Sequence, residues 1–162
     1  MGMGADAEMF EHYRERVSET TIDSSTLLST DYFNHFNEVI MLLGMLPDMP
    51  DMLDEVSAWE FKTYAQHFQE SGLPFAPLAI EAYPHVPAAS LVRFEQNIDK
   101  LHSTIEEAKL VLRDEFESGD MDVFAGKAIG YSMELQRLVD TGSAIVHGQD
   151  AVLDQSAIDD LF

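Results

Sequence analysis

The 162-residue chain contains no cysteine. Disulfides and thiolate metal sites are therefore excluded, and a reducing cytoplasm is the expected home. Long hydrophobic runs are missing too. The longest, Val39 to Leu46, falls far short of the roughly 20 residues a spanning helix needs, so no membrane insertion is expected. The start lacks a basic stretch followed by an apolar one, which argues against a signal peptide. No glycine-rich phosphate loop, nucleophile–base signature, internal repeat or low-complexity tract is present. Positive charge is the scarcest commodity: nine Lys and Arg face thirty Asp and Glu, for a formal charge of −21. Nucleic-acid backbones and anionic membranes repel such a surface. A partner with a basic face, or a metal cation, would be attracted, and acidity kept for solubility is the plain alternative.

What is there is helical periodicity. Leu91, Phe94, Ile98, Leu101, Ile105, Ala108 and Leu112 alternate steps of three and four, and so do Phe124, Ala128, Tyr131, Leu135, Leu138, Gly142 and Ile145. Such a pattern makes a seam for helix-on-helix packing, whereas a strand would need a step of two. Gly119 suits the left-handed end of the first helix, and Asp120 can cap the second. So short a connection predicts an antiparallel hairpin over residues 88–147.

Upstream, residues 1–8 read as a frayed start and Met9 to Val17 as a short helix. Thr20 to Thr30 is a Ser/Thr-rich connector. Ser29 or Thr30 can cap a strong helix ending at Leu46, before Pro47 and Pro50. Met49 to Trp59 and Thr63 to Glu70 are expected as shorter helices. Leu73 to Pro87, with four prolines, reads as an irregular wrap with at most one helical turn near Leu78–Ala82. Trp59, Phe61, Tyr64, Phe68 and Phe75 are expected to seal one end of the bundle. Met41, Met45, Met49 and Met52 suit gap-filling core, with an adaptable binding surface as the other option. The class is all-α: a helical bundle domain over residues 1–148, organised on the hairpin, then a short acidic linker and C-terminal peptide over 149–162.

That last segment sets apolar Leu153, Ile158, Leu161 and Phe162 beside acidic Asp154, Asp159 and Asp160. So short a helix is unstable alone in water, and gains order by laying its apolar side into a partner's groove or onto its own bundle. Leu153-Asp-Gln-Ser-Ala-Ile-Asp-Asp-Leu-Phe162 resembles the segment by which flagellar motor-switch proteins of the FliM type bind the chemotaxis response regulator, Leu-Ser-Gln-x-x-Ile-Asp-x-Leu-Leu. Leu153, Gln155, Ile158, Asp159 and Leu161 match, and Phe162 is a conservative change. The tail, including Asp160, is also similar to the C-terminal helix of the CheZ chemotaxis phosphatases. Hairpin, linker and terminal regulator-binding peptide together follow the plan of a CheZ subunit. The resemblance implies a CheY-type receiver as partner, and magnesium only on that receiver. A homodimer through the hairpin would fit the same plan, although the seam can equally be used up within one chain.

The resemblance also implies a place to look for catalysis. CheZ proteins carry an acid and, four residues later, a Gln that orients the attacking water, a role suited to an amide that both donates and accepts. Here Asp140 is followed at that spacing by Ala144, while Gln136 precedes it by four residues, so the CheZ site does not carry over. A second candidate is Asp31 with Asn34, which resembles the Glu-x-x-Asn of the CheC and CheX phosphatases. Asp31, Asn34, His35 and Glu38 fall on one helical face opposite the phenylalanines. A solvated helix face with an N-terminal Asp favoured by the dipole is the plainer account. His35 with Glu38, or His102 with Asp99 or Glu106, could pair locally on a metal, but six histidines scattered over the chain are near background. No Glu-x-x-His occurs, and no metal site or cofactor is expected. His147 beside Gly148 suits a helix C-terminus.

Overall fold

The computed structural model describes residues 2–148, and side-chain surroundings from Ala7 onward. Within them the protein is all-α, with seven helices: α1 Gly2–Arg16, α2 Asn34–Met45, α3 Leu53–Ala58, α4 Tyr64–Ser71, α5 Ala76–Ala82, α6 Ala88–Ser118 and α7 Met121–Val146. Short 3-10 turns occupy Thr30–Phe33, Pro50–Met52 and Tyr83–His85. Among the described residues no helix is long and apolar enough to cross a membrane.

The seam of the hairpin packs as its period requires. Every one of the fourteen seam positions is buried except Leu91 and Tyr131, which are half-buried. Gly119 adopts φ +86°, which only glycine takes at little cost, and ends α6. Asp120 then accepts the Val123 amide through Oδ1 at 3.1 Å, capping α7. Cross-links between the helices fix their sense. Lys127 Nζ lies 2.7 Å from Glu115 Oε1, Tyr131 Oη donates to Glu107 Oε2 at 3.0 Å, and Asn97 Nδ2 donates to the Leu138 carbonyl at 2.9 Å. Position falls along α6 as it rises along α7, so the pair is antiparallel.

By contact the described chain divides into two units, one from residues 2–32, 62–96 and 141–148 and the other from 33–61 and 97–140. In the first, α4 packs on α5. Its core is aromatic: the Tyr64 ring stacks on Tyr83 at 4.7 Å and meets Phe94 edge-on at 5.8 Å. Burial obliges the phenols to find partners. Tyr64 Oη accepts the Ser29 amide at 3.0 Å, and Tyr32 Oη donates to the Lys62 carbonyl at 2.6 Å. In the second, Phe36, Val39, Ile40 and Leu43 of α2 are buried, as are Leu53 and Val56 of α3, and α2 packs on α3.

Several local expectations are corrected. Helix α1 runs from Gly2 rather than from Met9, so residues 2–8 are helical, not frayed. The proline-rich stretch holds a seven-residue α-helix and a 3-10 turn, because Pro77 and Pro84 sit in first turns, where a missing N–H costs nothing. Met49 to Trp59 is split into a 3-10 turn and α3. Of the aromatic residues expected to seal one end of the bundle, Trp59 and Phe61 belong to one unit, and Tyr64, Phe68 and Phe75 to the other. None of Met41, Met45, Met49 and Met52 is buried, so they are not gap-filling core.

Candidate functional site

The Asp31–Glu38 strip is not one continuous helical face. Asp31 lies in the 3-10 turn, and α2 proper begins only at Asn34. The Asp31 carboxylate takes hydroxyls from its own neighbourhood: Oδ2 accepts Thr21 Oγ1 at 2.6 Å and Ser29 Oγ at 3.1 Å. Asn34 and Glu38 are exposed. His35 points the other way and is buried, which corrects its placement on a solvated face. Its Nε2 lies 2.6 Å from the Glu60 carbonyl, its ring stacks on Trp59 at 4.6 Å, and its own carbonyl accepts Trp59 Nε1 at 3.0 Å. Lys109 completes this cluster, donating to the Trp59 carbonyl at 2.6 Å while sitting 5.7 Å from the indole centroid. Loop residues 59–60 are thereby pinned to α2 and α6. The arrangement is structural, with each polar atom named here used internally.

Gln136 and Asp140 do come together. Gln136 Nε2 donates to Asp140 Oδ1 at 3.0 Å, one turn along the exposed side of α7. An amide and a carboxylate side by side offer the right atoms to hold a water, and in this geometry one of the two amide N–H donors is spent on the acid. Elsewhere on the α6–α7 surface runs an open groove of about 560 Å³, bordered by Glu107, Val111, Lys127, Tyr131 and Glu134. Its charged groups are already paired: Lys127 with Glu115, Glu134 with Arg137 at 2.7 Å, and Glu107 with the Tyr131 hydroxyl. Burial first, then the Glu107 hydrogen bond, pushes the Tyr131 phenol up to about 12. His102 stacks flat on Phe61 at 4.2 Å, and among the described residues no group of three His, Asp or Glu could hold a metal ion.

The end of α7 is built with more care than its sequence suggests. Thr26 Oγ1 donates to the Val146 carbonyl, closing an otherwise orphaned acceptor at the helix C-terminus. Asp23 Oδ2 meets His147 Nδ1 at 3.0 Å, while Asp23 Oδ1 accepts the Ser25 amide at 2.7 Å and the Ser25 hydroxyl. Burial pushes the Asp23 carboxyl up, but the Ser25 hydroxyl, His147 and the Ser25 amide outweigh it and hold it below its ordinary value. Gly148 adopts φ +71°, and a Cβ there would come within 3.0 Å of Ser25 Oγ. The 23–28 loop pays for its tightness at Leu27, a buried residue with φ 68°. So the connector clamps the point where residues 149–162 begin. The sequence reading of His147 as a helix-end residue holds; its partner on a loop 124 positions away had no local signal.

Leu153, Gln155, Ile158, Asp159, Asp160, Leu161 and Phe162, the partner-binding positions, lie outside the described residues. No protein-family model, curated protein or solved structure matches the chain.

Proposed function

We propose that the protein binds a CheY-type receiver domain through residues 153–162. The observation that carries this is the order Leu153, Gln155, Ile158, Asp159, Leu161 and Phe162, which sets an apolar side and an acidic side on one short segment. Ile158, Leu161 and Phe162 would fill a hydrophobic groove on the receiver, with Asp159 and Asp160 meeting lysines at its rim. Two features support the reading. The helical run of α7 stops at Val146, so the segment is not needed to complete the hairpin seam. The formal charge of −21 favours encounter with a basic receiver face.

The test is a titration of labelled peptide 149–162, and of the full chain, with chemotaxis receivers, with and without beryllofluoride as phosphoryl mimic. Binding at about ten micromolar or tighter, weakened at least tenfold by Ile158→Ala, is the expected result. Absence of binding to every receiver refutes the proposal and leaves a structural or adaptor protein whose tail packs on its own bundle. Loss of receiver phosphate in the same mixtures reports on catalysis. Acceleration abolished by Asn34→Ala or Asp31→Ala would make the protein a phosphatase of its partner; unchanged decay would limit it to binding.

A further inference from the structure

The surface of the 33–61 and 97–140 unit carries an apolar strip that the tail does not explain. Met41 is 59% exposed and Met133 68%, values far from those of core methionines, and Ile129 is 40% exposed. Their helices touch at the smallest residues available. Ser132 Oγ donates to the Ile40 carbonyl at 3.2 Å, and a Cβ on Gly44 would meet Ser132 Oγ at 3.7 Å. Met41 precedes Gly44 by three residues and Ile129 precedes Ser132 by three, so each flanks the contact on its own helix; Met45 and Met133 adjoin it. The result is a shallow strip floored by Gly44 and Ser132 and walled by Ile129 and by the unbranched methionines Met41, Met45 and Met133, the kind of side chain that repacks around an incoming apolar face.

Charge decides what fits there. From Val17 to Phe61 the chain has no Lys or Arg at all. Glu38 and Asp48 border the strip on the α2 side, and Asp140 follows Met133 by two helical turns; all three are exposed. The nearest cation on α7, Arg137, is held by Glu134. A second copy of this chain would bring the same acidic edges. The segment 149–162 would bring four aspartates and no cation. Both are repelled, as is an anionic membrane. We propose that the α2–α7 strip docks an amphipathic helix with basic flanks, supplied by a partner protein, its leucine-type residues lying across the methionines and its lysines or arginines meeting Glu38, Asp48 and Asp140. The proposal is independent of receiver binding by the tail.

The probe is an 18-residue Leu/Lys peptide with leucines at helical spacing, compared with a scrambled peptide of the same composition. Full-length protein labelled at methionine methyl groups is titrated with each. The patterned peptide should bind at least tenfold more tightly than the scrambled one and shift the methyl signals of Met41, Met45 and Met133, leaving Met9 and Met121 in place. Met41→Glu with Met133→Glu, both at exposed positions, should weaken binding at least tenfold, whereas Leu110→Glu on the outer side of α6 should not. Equal binding of the two peptides, shifts confined to Met9 or Met121, or unchanged affinity of the double variant would each overturn the proposal.

Discussion

Replacing Thr26 by Val tests whether the connector truly clamps the end of α7. The side chain is 1% exposed, and valine keeps its shape while removing the hydroxyl. Two buried backbone groups then lose their partner. One is the Val146 carbonyl, which accepts from Thr26 Oγ1; the other is the Leu28 amide, which donates to the same oxygen at 3.3 Å. Both residues are fully buried, so bulk water cannot step in. Stranding a buried polar group costs about 1–3 kcal/mol. The Leu28 bond is long and belongs at the low end, so a total of about 2–4 kcal/mol is expected. For a domain of this size, with a urea dependence of about 2 kcal/mol per molar, the unfolding midpoint should fall by about 1–2 M at unchanged slope.

Thr26→Ser is the control, because it keeps the hydroxyl and deletes one buried methyl, for about 1 kcal/mol. Ordinary burial reasoning ranks the two substitutions the other way, since valine is the more apolar and better-filling residue. Urea unfolding followed by far-ultraviolet circular dichroism separates the accounts. If Thr26→Val proves less costly than Thr26→Ser, or lies within about 0.5 kcal/mol of the parent, the hydroxyl is not capping α7 and the clamp is wrong.

Asn97→Leu should behave in the opposite sense. Asn97 is 7% exposed with Oδ1 buried and unpartnered, and its Nδ2 bond goes to a helix carbonyl, so an apolar residue of similar volume should leave thermal stability equal to the parent or raised; a midpoint several degrees lower would show that the amide is needed. At alkaline pH, Tyr32, Tyr64 and Tyr83 are raised by burial, as Tyr131 is to about 12, so each binds its proton more tightly folded than unfolded. Their contribution is complete below the unfolded value of about 10 and is lost as pH rises beyond it, so denaturant midpoints should fall steadily above pH 10, and a flat profile there would refute the buried aromatic core of the first unit.

The hairpin was legible because its information is periodic and local. A seam repeating every three or four residues demands a long helix whatever surrounds it, and Gly119-Asp120 names the turn by conformational freedom and capping chemistry alone. The Thr63 helix end was equally readable, with Thr63 and Gln66 forming a reciprocal capping box and Gly72 left-handed after it. What failed shares one cause. Pro77 and Pro84 read as breakers because composition does not say whether a proline sits in a first turn, as both do, or an interior one. A wheel drawn through Asp31 puts His35 on the solvated face, but the 3-10 turn before α2 rotates Asp31 out of phase, and the pull of Trp59 and the Glu60 carbonyl comes from another element. Hydrophobicity alone favours core over an adaptable surface for the four methionines, and only the close approach of Gly44 to Ser132 shows where the helices meet beside Met41 and Met45. The Asp23–His147 and Thr26–Val146 pairs join residues more than a hundred positions apart, where no window sees them.

The two proposed docking elements would reach basic partners by opposite means, and this makes them separable. As proposed, the segment 153–162 supplies apolar side chains and needs a groove on a receiver. The α2–α7 strip supplies the groove and needs apolar side chains from its helix. Raised salt weakens both, because the lysine–carboxylate contacts at either rim are screened, so ionic strength cannot distinguish them. Crossed substitutions can. Ile158→Ala removes an anchor from the tail and leaves the strip intact, while Met41→Glu with Met133→Glu does the reverse. If each variant loses one ligand and keeps the other, the chain carries two independent docking elements. If a variant loses its own ligand and binds the other more tightly than the parent does, the two elements occupy each other in the parent chain, and the strip's occupant is the tail, held by Ile158, Leu161 and Phe162 against the repulsion of its aspartates, rather than a partner's helix.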